Sequence, residues 1–343
     1  MKAAILKKVG EIQIEDLPVP NPGPAEVLVK IKSVGICGSD LHYYTHGKIG
    51  AYIVEKPIIL GHEASGEVVA VGKDVTRLKV GDRVAVEPGI PCRKCEFCKT
   101  GRYNLCPDVA FMATPPYDGA FTEYIVSPED FTFKIPDTMS YNEAALMEPL
   151  AVGVYAAERA MVKPGMTAAV LGLGPIGMVV AQAAKAYGAS RVVGTDVVDY
   201  RLNQAESFAV DKALHAKNEA LEDQIGADLG GRPDIVFETS GNGGSIALTT
   251  SLVKTGGTVV MIGMSPEDFI PINHGQISGK ELTVLGIFRY ANMYPKAIEL
   301  VKSGAINVKS LVTKEFKLEQ TKTALDYTVA HKNDSIKVMI HPE

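Results

Sequence analysis

The stretch TAAVLGLGPIGMVVAQAAKAYGASRVVGTD, residues 167–196, decides how the rest of the chain is read. Its opening, TAAVL, is a short apolar run with the composition of a strand covered on both faces. Gly172, Gly174 and Gly177 follow at once. PIGMVVAQAAKAYG then predicts a helix, with proline at its start and glycine past its end. RVVGTD predicts a second buried strand. Strand, glycine turn, helix and strand make one βαβ unit, and such units build a parallel sheet. G-x-G-x-x-G is a weak signal alone, but between a strand and a helix it has a mechanism. Gly172 permits the tight turn, Gly174 lets the backbone approach a pyrophosphate, and Gly177 lets helix and strand pack closely. Asp196 closes the second strand nineteen residues after Gly177. A carboxylate there takes the ribose hydroxyls of NAD and repels the 2′-phosphate of NADP. Arg201 either lies along the adenosine or is a solvated helix residue.

Working outward, DIVFETSG (234–241) and GTVVMIGM (257–264) continue the apolar strands at helix-sized intervals. The first hundred residues have a different texture. EVLVKIKSVG (26–35), GEVVAVG (66–72) and GDRVAVEPG (81–89) are β-branched runs bounded by glycine, and VPNPGPAE (19–26) is a loop. This region reads as all-β. SYNEAALMEPLAVGVYAAERAM (140–161) reads as helical, with Pro149 marking a break or kink. After residue 287 come an amphipathic helix, YPKAIELVKSGAI, and a closing strand, KVMIHP. The expected fold is α/β. A doubly wound parallel-sheet domain at 148–287 is inserted into a β-rich domain formed by 1–147 plus 288–343.

The 343 residues carry a net charge of −5, which disfavours a dedicated nucleic-acid surface. No apolar run approaches the ~20 residues that span a bilayer. The start lacks the continuous apolar core of a signal peptide. These points predict a cytoplasmic protein with no nucleic-acid or membrane partner. In that compartment thiols stay reduced, and clustered cysteines hold metal more often than they form disulfides.

Four of the five cysteines fall in PCRKCEFCKTGRYNLC (91–106), at C-x2-C-x2-C-x7-C. Cys92, Cys95, Cys98 and Cys106 can enclose Zn²⁺ as a closed, structural site in a lobe at about 91–107. The fifth, Cys37 in VGICGSDLHYY, is by itself an ordinary small hydrophobe. GHEASGE (61–67) changes its meaning, because His62 and Glu63 complete a three-donor set with one position left open. Glu148, in ALMEPLAVG, is a carboxylate in an apolar run. It either keeps its head in water or faces the metal, directly or through a water.

In order and spacing, GICGSDLHYY, GHEASGEVVAVG, VGDRVAVEPG, CEFCKTGRYNLC, MEPLAVGVYAA and GLGPIG resemble the zinc-dependent medium-chain dehydrogenases along nearly the whole chain. EPLAVG, ATPPYDGAF (113–121) and GIFRYANMYPKAIEL (286–300) narrow the resemblance to the polyol branch, the sorbitol dehydrogenases and their xylitol-oxidising relatives. The resemblance implies a Rossmann domain inserted into a GroES-like catalytic domain, two Zn²⁺ per chain, NAD as cofactor and a homotetramer. It implies a catalytic zinc on Cys37, His62 and Glu63, with Glu148 approaching through water; in some relatives Glu63 and Glu148 exchange as ligand. It assigns Ser39 and His42 to carrying the alcohol proton to solvent, and Tyr43, Phe111, Thr114, Glu148, Arg289 and Tyr290 to the substrate. Ile176, Asp196, Arg201, Ile262, Gly263, Phe288 and Arg289 match nicotinamide-cofactor contacts. The implied reaction is oxidation of a polyol at C2, sorbitol to fructose or xylitol to xylulose, by hydride transfer to NAD. The alternatives are a dehydrogenase of the threonine or butanediol type and a non-catalytic NAD(H)-binding redox sensor.

Overall fold

The computed structural model describes residues 1–342. The chain divides into two compact units. One is Met1–Glu148 together with the stretch from Val308 onward; the other is Pro149–Asn307.

The first unit is built on a seven-stranded sheet. Its central strand, Glu26–Gly35, pairs antiparallel with Glu63–Val71 on one side and Lys337–His341 on the other. Val27, Val29, Ile31 and Val34 from that strand are buried in the core, joined by Val68, Val338 and Ile340. Burial of each such aliphatic side chain contributes about 1.5–3 kcal/mol. The register places Glu63 opposite Gly35 and Met339 on Gly35's other side. Three stretches remote in sequence therefore meet at one end of the sheet.

The second unit is a six-stranded parallel sheet. Its spatial order is Lys212–His215, Arg191–Asp196, Thr167–Leu171, Ile235–Glu238, Thr258–Met261 and Thr283–Gly286. Strand order reverses about Thr167–Leu171, which is the doubly wound arrangement that binds ligands beyond its carboxyl ends. Ala169, Leu171, Val193, Val236 and Val259 form its core. Among the described residues no helix is long and apolar enough to cross a membrane.

The structure departs from the sequence reading in three places. The first hundred residues are not all-β, because Gly38–His46 is a helix. Asp40 in its first turn accepts from the Cys37 N–H, and Gly47 ends it in the left-handed conformation at φ 71°. Pro149 does not break a helix. It lies in the first turn of Met147–Arg159, where a missing N–H costs nothing, and the break falls earlier, at Leu146 after Tyr141–Ala145. The second boundary between units falls after Asn307 rather than after residue 287. Gln182, on helix Pro175–Ala186, donates to the Asn307 carbonyl and accepts from its N–H, at 3.1 and 2.7 Å. Helix Tyr294–Lys302 is also tied to the second unit, through an ion pair of Lys296 with Glu158.

Candidate metal and cofactor sites

Cys37 stands immediately before helix Gly38–His46. Asp40, fully buried, accepts from the Cys37 N–H and from the Gly61 N–H, each at 2.9 Å. One carboxylate thus fastens the segment carrying Cys37 to the segment carrying His62. Asp40 also lies 3.8 Å from His62 Nδ1. Glu63 opens strand Glu63–Val71. The result is a donor atom from each of Cys37, His62 and Glu63, all within 4.8 Å of one another, with His62 and Glu63 buried. The Phe111 ring packs 5.5 Å from the His62 ring.

Burial by itself would lower the pKa of His62. The Cys37 thiolate and the Asp40 carboxylate outweigh it and hold the imidazole well above its ordinary value. One thiolate, one imidazole and one carboxylate form the three-ligand set of a catalytic zinc, so the residues fit that metal. Glu148 is buried in the first turn of Met147–Arg159 and lies outside the group whose donors fall within 4.8 Å.

Two further buried titratable groups belong to the same unit, and one of them holds Glu63. Lys337 Nζ donates to both carboxylate oxygens of Glu63, at 2.6 and 2.8 Å, and to the Ile36 carbonyl at 3.1 Å. Burial disfavours its charge, but Glu63 and then Cys37 reverse that and raise its pKa. Glu87 is only 2% exposed, and its Oε1 accepts from the Tyr103 hydroxyl at 2.7 Å. Burial pushes its carboxyl up to about 8 against the lowering effect of Tyr103, with Glu148 and Asp130 adding to the rise.

The four clustered cysteines also converge within 4.8 Å. Cys92 and Cys95 place their sulfurs 3.9 and 3.3 Å from that of Cys98. These are not disulfides, which need about 2.0 Å. A tetrahedron with Zn–S near ~2.3 Å has S···S edges of about 3.8 Å, so the cluster fits a closed zinc site. Backbone N–H groups of Lys94 and Cys95 lower the Cys92 thiol to about 7.

In the second unit a cavity of about 760 Å³ opens over the glycine turn, lined among others by Gly172, Gly174, Asp196, Arg201 and Ser240. Gly172 holds φ 96°, a left-handed conformation that side chains resist. A Cβ at Gly177 would strike the Gly172 carbonyl, whereas one at Gly174 would meet nothing nearer than Arg201 at 3.9 Å. The open face at Gly174 fits a phosphate of a dinucleotide. Asp196 accepts from the N–H groups of Leu173 and Val198, at 2.8 and 2.9 Å, and faces Arg201 at 3.5 Å.

Residues 23–137 match the family described as alcohol dehydrogenase GroES-like domain, and residues 175–303 match zinc-binding dehydrogenase. The chain is 48% identical to sorbitol dehydrogenase of Bacillus subtilis over 343 residues, all of this chain and 97% of the relative. The chain belongs to the zinc-binding dehydrogenases, in their sorbitol dehydrogenase branch. Among solved structures it resembles an Escherichia coli oxidoreductase/dehydrogenase of unknown specificity, with a TM-score of 0.94, 42% identity, and 99% and 98% of the two chains covered. It also resembles 2R,3R-butanediol dehydrogenase from Bacillus subtilis, with a TM-score of 0.91, 34% identity, and 100% and 99% covered.

In this zinc dehydrogenase the remaining predicted residues divide between the units. Ser39, half-buried, and His42, exposed, lie one turn apart on Gly38–His46, and Tyr43 is buried on the same helix. Thr114 is half-buried in the same unit. Ile176 lies in the first turn of Pro175–Ala186. Ile262 and Gly263 follow strand Thr258–Met261, and both donate to the Glu238 carbonyl. Phe288 is exposed, with the Arg289 guanidinium 4.7 Å over its ring; Tyr290 is buried 5.9 Å from Tyr294. Arg289 and Tyr290 belong to the second unit, where the sequence reading placed them in the β-rich domain. The sequence reading missed Asp40, Lys337 and Glu87. Their signal was modest: each is a charge set in an otherwise apolar or glycine-bounded run, ICGSD, KVMI and VAVEPG.

Proposed function

We propose that this chain oxidises a polyol to a ketose with NAD, sorbitol to fructose before xylitol to xylulose. The observation that carries the reading is the convergent, mostly buried Cys37–His62–Glu63 donor set, in a chain 48% identical end to end to a sorbitol dehydrogenase. Bound zinc supplies a Lewis acid that acidifies an alcohol hydroxyl, and bound NAD supplies the hydride acceptor. The chain's own residues do the rest. Cys37, His62 and Glu63 would hold the metal, and Glu148 would support it through a water. Ser39 takes up the hydroxyl proton and His42, exposed one turn away, passes it to solvent. Tyr43, Thr114, Arg289 and Tyr290 supply donors and acceptors for several hydroxyls, and Phe111 gives an apolar wall. A simple alcohol would leave such groups unpaired. Gly172, Gly174, Ile176, Gly177, Asp196, Arg201, Ile262, Gly263, Phe288 and Arg289 serve the cofactor, and Asp196 selects NAD.

The same reading makes the protein a cytoplasmic homotetramer. Exposed apolar side chains on and just after the sheet-edge strand Thr283–Gly286, Val284 and Phe288, support self-association. Light scattering of the purified protein tests it.

The deciding experiment measures NADH production across sorbitol, xylitol, threonine and 2,3-butanediol, with NAD and NADP, before and after chelation. The expected result is highest kcat/KM for sorbitol with NAD, lost with the metal. Turnover that survives full zinc removal overturns the reading. Preference for 2,3-butanediol would favour the butanediol dehydrogenase reading, whose relative stands at 34% identity.

A further inference from the structure

Glu63 is a donor in the buried metal set, yet both of its oxygens are already held by Lys337. Neither partner is adaptable. Glu63 is 1% exposed and Lys337 3%, and a Cβ at Gly35 would overlap the Glu63 carboxylate. Lys337 is anchored a third time by the Ile36 carbonyl, next to Cys37 in sequence. The backbone has been cleared for the carboxylate on one side and fitted with a cation on the other.

The charges explain why this matters. The Cys37 thiolate and the Glu63 and Glu148 carboxylates bring three negative charges to a site meant for a divalent cation. An over-neutralised metal is a weaker Lewis acid. A carboxylate shared with an ammonium gives less of its charge to the metal and keeps lone pairs with which to bind it.

We infer that Lys337 is a positioning residue that competes with the catalytic metal for Glu63, holding the carboxylate in place while limiting how much charge it donates. Zinc binding is thereby weaker than the donor set would allow, and the metal is more acidifying. The inference rests on the zinc reading given above.

The test replaces Lys337 by methionine, which keeps the length, by glutamine, which keeps a donor, and by arginine, which keeps the charge. Zinc affinity of the metal-free proteins is measured by competition with a chromogenic chelator. The four-cysteine site serves as an internal reference. Lys337→Met and Lys337→Gln are expected to bind zinc at the Cys37 site at least about tenfold more tightly, while kcat falls about tenfold or more. Lys337→Arg is expected to stay near the wild-type protein in affinity. A purely structural lysine gives the opposite pattern, with affinity and turnover falling together; that result, or unchanged affinity in a folded neutral variant, overturns the inference. A variant that unfolds in one substitution is replaced by the other, since the two differ in hydrogen bonding. If the wild-type chain binds no zinc at the Cys37 site, the zinc reading itself has failed, and the two failures are distinct.

Discussion

The two cysteine-containing metal sites of the first unit are built on opposite plans. The four-cysteine cluster comes from one fifteen-residue window, and its donors are alike and mostly half-buried. Its anchoring is local, through N–H groups such as that of Cys92, which lies 3.3 Å from the Cys106 sulfur. The Cys37 set comes from two segments twenty-five residues apart, is mostly buried, and is surrounded by Asp40, Lys337 and Glu148. Four thiolates close a coordination sphere; a mixed set of three leaves a place for substrate. A site that only staples a loop can be carried by the loop. A site that tunes a reaction needs charges delivered by the fold, here from as far along the chain as residue 337.

The largest effect that comparison predicts is at Cys37. Cys37→Ser should lower kcat/KM for sorbitol by at least about a thousandfold. Zinc content should fall from two per chain to one, with little change in melting temperature. Near-normal turnover by the variant would erase the distinction between the two sites. Next is Asp40→Asn. Both Asp40 oxygens accept from backbone N–H groups, and an amide nitrogen cannot. Zinc affinity at the Cys37 site should drop about 10–100-fold while the four-cysteine site is unmoved. Equal loss at both sites would show that Asp40 acts on the fold as a whole.

Cys98→Ser tests the other plan. It should cost one zinc per chain and lower the melting temperature by about 5–10 °C. The folded fraction should keep kcat within about threefold, because the loop's metal touches no substrate. A thousandfold loss of kcat in folded protein would make both sites catalytic.

How much of this was legible before folding follows the same division. The Cys92–Cys106 loop and the Gly172–Asp196 unit could be read because their chemistry is contiguous: spacing along the chain is spacing in space. Strands Thr283–Gly286 and Val312–Lys317 could not, since they lie at sheet edges and have no buried residue. The helix Gly38–His46 was hidden by its own composition. Its low apolar content gives no periodic stripe, and only the Asp40 cap marks its start. Lys337 was read as part of a closing strand, and nothing local shows that residue 63 lies opposite it. Pairing across 274 positions is a property of sheet order. The same holds for the boundary after Asn307, fixed by Gln182 from 125 residues away.

The effect expected on turnover is smallest where the two regions come nearest in charge, and there the readout is stability. Glu87 accepts from Tyr103, three residues before Cys106, and feels the charge of Glu148. Its folded pKa, about 8, lies above the 4.5 of an ordinary glutamate. Below pH 4.5 both folded and unfolded chains hold the proton, and stability is at its highest with respect to this group. Between 4.5 and 8 the unfolded chain releases the proton while the folded chain keeps it, so stability falls as pH rises. Above 8 both are ionised and the loss is complete, at most about 5 kcal/mol. Glu87→Gln removes that proton from the balance. Its denaturant-derived stability, measured from pH 5 to 9 beside the wild-type protein, should fall less steeply with pH. The wild-type curve should drop relative to that of the variant as pH rises towards 9. Parallel curves would mean that Glu87 is ionised in the folded chain. The four-cysteine loop and the catalytic pocket would then be insulated from each other, rather than joined through one buried acid.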